Sequence, residues 1–157
     1  MIKMRTSVNG KKNVVEAAKE RVAYLFDNYD NIQLSYSGGK DSTALFHLIN
    51  EEAKKRKRKF YLFFQDQEAE YQGTIAMVKW AMSQPNVIPM WYQVPMFMTN
   101  AVSHEQLYLW AWGEGEKWVR DKDPIAIKQI DKKYPKRFYK FFLWQAKELI
   151  KLEGEAV

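Results

Sequence analysis

Residues 34–43, LSYSGGKDST, bring together groups that can hold an oxyanion. Gly38 and Gly39 permit positive φ angles and close approach of the backbone to a ligand. Backbone N–H groups at such a turn, with the positive end of a following helix, bind phosphate or sulfate. Lys40 adds a point charge, and the serine hydroxyls add donors. The predicted anion-binding residues are Ser35, Ser37, Gly38, Gly39, Lys40, Asp41 and Ser42.

The turn does not match two common glycine signatures. A Walker-type loop needs a glycine five residues before Gly39 and a Ser or Thr after the lysine, but those places hold Leu34 and Asp41. The chain contains no G-x-G-x-x-G. A different class of phosphate loop is therefore expected.

The periodicity of apolar residues places this turn between a strand and a helix. The run FYLFF at 60–64 is continuous and aromatic, which is typical of a strand covered on both faces in a parallel sheet. Pro89 puts the last of the predicted strands at a sheet edge or a bulge. Two successive strand–helix–strand units predict an α/β fold with a parallel sheet and right-handed crossovers. The predicted elements are a helix at 14–28 capped by Asn13, a strand at 32–36, a helix at 42–57, a strand at 60–64, a helix at 72–83 and a strand at 87–94.

The pattern beyond Pro95 predicts two further helices. Ser103 with Gln106 fits a capping box that opens a short helix through Trp112, which Gly113 would end. Apolar residues at helical spacing then predict a closing helix at 135–152.

Length and composition predict one domain over residues 1–157, with an aromatic-rich C-terminal part at 95–157. The net charge of +6 favours anionic partners. No apolar stretch has the length of roughly 20 residues that spans a bilayer, so a cytoplasmic protein without membrane attachment is expected. The basic run at 54–59 is interpreted as a solvated helix end in preference to a nucleic-acid patch.

The sequence SGGKDS at 37–42, after a strand and at the start of a helix, resembles the PP-loop of the adenine nucleotide α-hydrolase superfamily. This superfamily includes ATP pyrophosphatases, tRNA-thiolating enzymes and phosphoadenosine phosphosulfate (PAPS) reductases. Asp66, with Thr74 eight residues later, resembles the acidic loop of PAPS reductases, although Gln67-Glu68 replaces the usual Thr-Gly. The resemblance implies a compact three-layer Rossmann-like fold and a role in sulfur metabolism.

Two later segments, 100–103 and 118–120, resemble a PAPS-reductase-like branch known from longer bacterial and phage-associated proteins. Lys40 and Asp41 are the candidate catalytic residues. Arg120 is the candidate for holding a second anion, because arginine pairs well with phosphate. No covalently bound cofactor is expected, and Asp41 and Asp66 are the candidate Mg²⁺ ligands only if ATP is the ligand. Asp41 has an alternative role as a helix cap. The sequence does not choose between the two roles, because each uses a carboxylate at a helix N-terminus. The adenosine and ribose contacts implied are Phe64, Gln65 and Asp66.

The absence of cysteine limits the chemistry of the chain. Family enzymes that reduce PAPS attack its sulfur with a cysteine, so this chain would need an external thiol such as a reduced redoxin. Alternatively, it cleaves or holds an adenine nucleotide (PAPS, 3′,5′-ADP or ATP) as an ATP-pyrophosphatase-like enzyme or as a non-catalytic module. A ParB-like protein or a second copy of the chain is a candidate partner. A third hypothesis is an accessory role in sulfur modification of tRNA or DNA.

The remaining polar and aromatic residues have two interpretations each. Glu68 and Glu70 alternate with Asp66, and they either help to bind a cation or ribose or belong to a solvated acidic loop. The aromatic residues between 91 and 118 are expected mainly in the core, with one available to stack on adenine. His47 is expected on a helix surface. His104 lies in a predicted loop, where it either borders the site or, as the preferred interpretation, is a satisfied or solvated histidine.

Overall fold

The computed structural model describes residues 13–99, 104–105, 108–113 and 115–128. Within these residues the backbone divides into two compact units, the first at 13–64 and 72–90, and the second at 65–71 and from 91 onward. The single domain over 1–157 stays a prediction, and the predicted helix at 135–152 lies outside the described residues. The elements are α1 Val14–Asn28, β1 Gln33–Ser35, α2 Lys40–Lys55, β2 Phe60–Gln65, α3 Gln72–Met82, β3 Val87–Tyr92, β4 Met96–Thr99 and β5 Tyr108–Ala111.

In the described part of the chain, β1, β2 and β3 form a parallel sheet in that order, flanked by helices. Leu34 of β1 lies opposite Leu62 of β2 in the register. The predicted α/β fold is therefore confirmed. Pro89 is exposed on β3, the end strand of this order, where a missing backbone donor is tolerated. Of the two predicted alternatives, an edge or a bulge, the described residues show an edge position at Pro89, although the end of β3 pairs with Ile127 through Tyr92.

Burial along β2 alternates. Phe60, Leu62 and Phe64 are buried, whereas Tyr61 and Phe63 between them are only half-buried. The expectation of a strand fully covered on both faces therefore holds for one face only.

Helices α2 and α3 cover the buried face of the sheet. The ring of Phe46 in α2 lies 5.9 Å from that of Phe60 and 5.5 Å from that of Trp80 in α3, measured between centroids. Phe46 and Phe60 are fully buried, so they form the centre of the core in the first unit.

Helix α1 begins as the sequence predicts. The Asn13 side chain accepts from the Glu16 N–H at 2.9 Å, and the Glu16 carboxylate accepts from the Asn13 N–H at 3.1 Å. This reciprocal capping box satisfies N–H groups that no helical carbonyl can reach. Among the described residues, no helix is both long and apolar enough to cross a membrane.

Two arginines of the basic run attach α1 to α2. Arg56 pairs with Asp27 of α1 at 2.5 Å and with Glu52 of its own helix at 2.7 Å. Arg58 donates to carbonyl groups at the end of α1, at 2.6 Å to Phe26, 2.8 Å to Tyr29 and 2.7 Å to Asp30. These carbonyls lack helical partners, so the two arginines have a structural role.

In the second unit, β4 and β5 form an antiparallel pair with Met96 opposite Ala111. The helix predicted through Trp112 is therefore wrong at 108–111. The burial of this segment fits a strand, because Trp110 is exposed and the adjacent Ala111 is buried. The backbone then bends at Trp112, whose φ is +57°.

Candidate functional site

The predicted anion-binding turn joins the end of β1, at Ser35, to the start of α2, at Lys40. Gly39 is the N-cap, with φ −80° and ψ 170°, and no side chain of the described residues caps the helix. The first N–H groups of a helix have no acceptor within it, so those of Lys40, Asp41 and Ser42 point out of the N-terminal end of α2. Together with the helix dipole, this geometry suits an oxyanion.

Only one of the two loop glycines has a positive φ. Gly38 has φ +72°, and a Cβ atom there would lie 2.9 Å from Cγ2 and 3.2 Å from the carbonyl oxygen of Thr74. A Cβ at Gly39 would meet only the Ser37 hydroxyl oxygen, at 3.3 Å. Gly38 therefore needs to be glycine for both conformational and steric reasons, whereas Gly39 adopts an extended backbone open to other residues.

Two serine hydroxyls bridge the loop. The Ser42 hydroxyl donates to the Gly39 carbonyl at 3.1 Å, and it accepts from the Ser37 N–H at 3.3 Å. The two hydroxyl oxygens lie 3.0 Å apart, so the Ser37 hydroxyl donates to that of Ser42. A hydroxyl carries one proton, and both protons are used within the loop in this conformation. The serines thus shape the turn and also accept from the Ser37 and Gly39 N–H groups, so the donors that suit an anion are the N–H groups at the start of α2 and Lys40.

Tyr36 anchors the start of the loop. Its side chain is buried, and its hydroxyl lies 3.0 Å from the Thr43 hydroxyl in the first turn of α2. Its N–H donates to the Phe63 carbonyl of β2 at 2.8 Å. The loop is therefore fixed to the sheet at one end and to the helix at the other.

Lys40 and Asp41 are exposed at this helix end. Neither side chain has a hydrogen bond or ion pair to other described residues, and the N-cap is Gly39 instead of Asp41. Asp41 therefore acts on α2 only through the helix dipole, as a carboxylate in the first turn does. The exposed Ser35 ends β1 at the base of the same turn.

In the second unit, Asp66 is fully buried and accepts four hydrogen bonds from described residues. Its Oδ1 accepts from the Glu68 N–H at 2.8 Å and from the Arg120 guanidinium at 2.5 Å. Its Oδ2 accepts from the Trp91 indole at 2.7 Å and from the Gln93 amide at 2.8 Å. Both oxygens are saturated, so contact with ribose or Mg²⁺ would require one donor to leave.

Glu68 holds the backbone of two later segments. Its carboxylate accepts from the Trp112 N–H at 2.6 Å and from the Val119 N–H at 2.8 Å. Because Glu68 is buried, the solvated-loop interpretation is wrong for this residue. The Trp112 indole also donates to the Asp66 carbonyl at 2.8 Å.

Arg120, predicted to hold a second anion, neutralises Asp66 in this structure. Its guanidinium lies 4.9 Å from the Trp112 ring centroid, and its buried Nε has no acceptor within the described residues.

Glu70 lies in the same acidic segment as Asp66. Burial raises the pKa of Glu70, the charge of Asp66 raises it further, and Arg120 opposes both effects. In the residues that the structure describes, no group of three or more His, Asp or Glu side chains could hold a metal ion.

The positions of Phe64 and Gln65 follow from β2. Phe64 is a buried residue of the first unit, and Gln65 ends the strand in the second, where its amide lies 3.2 Å from the Met96 sulfur. Their contacts with adenosine stay a prediction.

Comparison with known proteins decides the family. A model of the phosphoadenosine phosphosulfate reductase domain matches residues 31–142. The chain belongs to this family. The PP-loop resemblance of residues 37–42 is thereby confirmed, and these residues correspond to the turn between β1 and α2.

A curated relative supports the same family. The uncharacterized protein YbdN of Escherichia coli (strain K12) is 32% identical over 122 residues, which is 76% of this chain. The chain spans about 30% of the length of YbdN. No solved structure matches this PAPS reductase domain.

Proposed function

We propose that this chain binds an adenine nucleotide through the turn at 37–42, and that it serves sulfonucleotide or adenylyl chemistry with any thiol supplied from outside. The single observation that carries the proposal is the exposed N-terminus of α2, which presents N–H groups without a partner among the described residues, beside Lys40 and a left-handed Gly38. The PAPS reductase family supports the adenine nucleotide as the ligand class.

The proposed roles in the loop follow from its geometry. The N–H groups of Lys40, Asp41 and Ser42 donate to a phosphate or sulfate oxygen, and the Lys40 ammonium neutralises its charge. Asp41 is exposed beside these donors, so it suits Mg²⁺ shared with the phosphates of ATP, an ion commonly held by one or two carboxylates plus substrate phosphates. Lys40 and Asp41 are accordingly the proposed catalytic residues.

The nucleophile determines how far this chain can carry the reaction. Reduction of a bound sulfonucleotide needs a thiolate that attacks sulfur, and the sequence contains no cysteine. A thiol supplied by a second protein forfeits the proximity advantage of an intramolecular nucleophile. The same observation favours a second candidate, a nucleotide-binding module that presents its ligand to a protein partner.

The test is isothermal titration calorimetry with ATP, AMP, PAPS and 3′,5′-ADP, each with and without Mg²⁺. Lys40→Ala should weaken nucleotide binding about tenfold or more, because it removes a charge-assisted hydrogen bond worth roughly 1.5–3 kcal/mol. Lys59→Ala is the matched control, since Lys59 is exposed and lies before β2. Equal affinity of the two variants, or no binding of any nucleotide by the unmodified protein, would contradict the proposal.

A turnover assay separates the two candidate functions. Release of 3′,5′-ADP from PAPS upon addition of a dithiol, or of pyrophosphate from ATP with Mg²⁺, indicates an enzyme. Tight binding with neither product indicates the binding module.

A further inference from the structure

Thr74, in the first turn of α3, lies against the phosphate loop within the same compact unit. A Cβ placed on Gly38 would lie 2.9 Å from the Thr74 methyl carbon, 3.2 Å from its carbonyl oxygen and 3.6 Å from its Cα. These distances leave no room for a side chain at Gly38, so the methyl group and backbone of Thr74 pack directly against this turn.

The hydrogen bonds within the loop restrain the conformation of Gly38 only weakly, so packing against Thr74 matters. The hydroxyl contacts of Ser37 and Ser42 are 3.0–3.3 Å long and lie at an exposed position. Glycine visits positive and negative φ with similar ease, so nothing intrinsic to Gly38 maintains φ +72°. A packed neighbour that excludes the alternative positions reduces this freedom.

We propose that Thr74 is a positioning residue for the phosphate loop, and that it acts through its γ-methyl group. The consequence for nucleotide affinity rests on the proposed function above, whereas the consequence for loop conformation does not. A loop that is less often in its binding conformation has a proportionally weaker apparent affinity.

The two γ-substituents of Thr74 have different environments, which makes the proposal testable. The methyl carbon faces Gly38, whereas the hydroxyl makes no hydrogen bond to any described residue. Thr74→Ser removes the methyl and keeps the hydroxyl, and Thr74→Val does the reverse. Ser, Thr and Val have similar helix propensities, so the pair is matched for effects on α3.

The first measurement is affinity for ATP and 3′,5′-ADP by calorimetry. Thr74→Ser should bind about two- to fourfold more weakly, because it removes the methyl contact that limits the freedom of Gly38. Thr74→Val should bind like the unmodified protein. The second measurement is the ¹H–¹⁵N spectrum without nucleotide, where the Gly38 and Gly39 amide signals should shift or broaden in Thr74→Ser and stay in place in Thr74→Val.

Each outcome decides the proposal. If Thr74→Ser leaves both the glycine amides and the affinity unchanged, even with a lower melting temperature, Thr74 has a general structural role and the proposal fails. If Thr74→Val loses affinity and Thr74→Ser keeps it, the hydroxyl contacts the ligand and the proposal also fails. If the unmodified protein binds neither nucleotide, the proposed function fails, and the glycine amides alone decide the role of Thr74.

Discussion

Alanine should destabilise the protein strongly at Gly38 and hardly at all at the neighbouring Gly39. Gly38→Ala forces an alanine into φ +72° and places its methyl carbon 2.9 Å from the Thr74 methyl and 3.2 Å from a backbone oxygen. The left-handed conformation costs roughly 1–2 kcal/mol for a residue with a Cβ. Overpacking costs about 1–3 kcal/mol, and here a backbone atom is one of the obstacles. The free energy of unfolding should therefore fall by about 2–5 kcal/mol.

Gly39→Ala is the control, one residue away in the same turn. At φ −80° and ψ 170° the alanine backbone is unstrained. Among the described residues its Cβ lies close to the Ser37 hydroxyl oxygen, at 3.3 Å, and this exposed side chain has to shift by a few tenths of an ångström. The lower entropy of the unfolded chain stabilises by about 0.4–1 kcal/mol. The weaker N-cap preference of alanine offsets part of this, so the net change should lie within about 0.5 kcal/mol.

The assay is urea unfolding, followed by tryptophan fluorescence and far-UV circular dichroism, together with calorimetric titration of ATP and 3′,5′-ADP. Gly38→Ala should lower the unfolding midpoint and weaken nucleotide binding, and Gly39→Ala should unfold like the unmodified protein. Equal stability losses in the two variants, or a Gly38→Ala protein of normal stability and affinity, would refute the steric argument.

Two further predictions concern ionised groups. Asp66→Asn should lower the free energy of unfolding by about 3 kcal/mol or more. The substitution leaves the partly buried charge of Arg120 without its anion, and it puts an amide group where hydrogen-bond donors converge. Normal stability of this variant in urea would show that the ion pair is dispensable. Hydrogen bonding from Arg56 lowers the pKa of Glu52 below its ordinary value of 4.5. A carboxylate whose pKa is lowered by folding stabilises the folded state at pH values above its ordinary pKa. This stabilisation is lost as the pH falls through the lowered pKa. Arg56→Gln should thus lose less stability than the unmodified protein between pH 6 and pH 3 in urea titrations; parallel pH profiles would contradict this.

The elements around the phosphate loop follow from local sequence signals. The cap at Asn13 and the spacing of apolar residues predict α1 with the bounds that the structure has, 14–28. The motif at 37–42 likewise predicts a turn between a strand and a helix, as found between β1 and α2. Caps, turns and helical periodicity involve residues a few positions apart, so a single segment contains the information.

Strand pairing at long range is where local signals fail. The segment 108–111 has apolar residues that suit either a helix or a strand, and its antiparallel pairing with 96–99 decides for a strand. Strand β4 has no counterpart among the predicted elements, because it too depends on this pairing. A short apolar run takes its conformation from the partner that satisfies its backbone groups.

For the side chains of the acidic segment 66–70, too, local sequence predicts the position, whereas distant residues decide the role. Its place after β2 was sufficient to single out Asp66, Glu68 and Glu70 as a set, but the roles of the first two depend on distant partners. Asp66 pairs with Arg120, 54 positions later in the chain, and Glu68 holds backbone N–H groups at 112 and 119. The sequence by itself determined the phosphate loop and its family, because these reside in contiguous residues. Only the tertiary structure decided which carboxylates are buried and paired, because burial and charge neutralisation depend on residues that folding brings together.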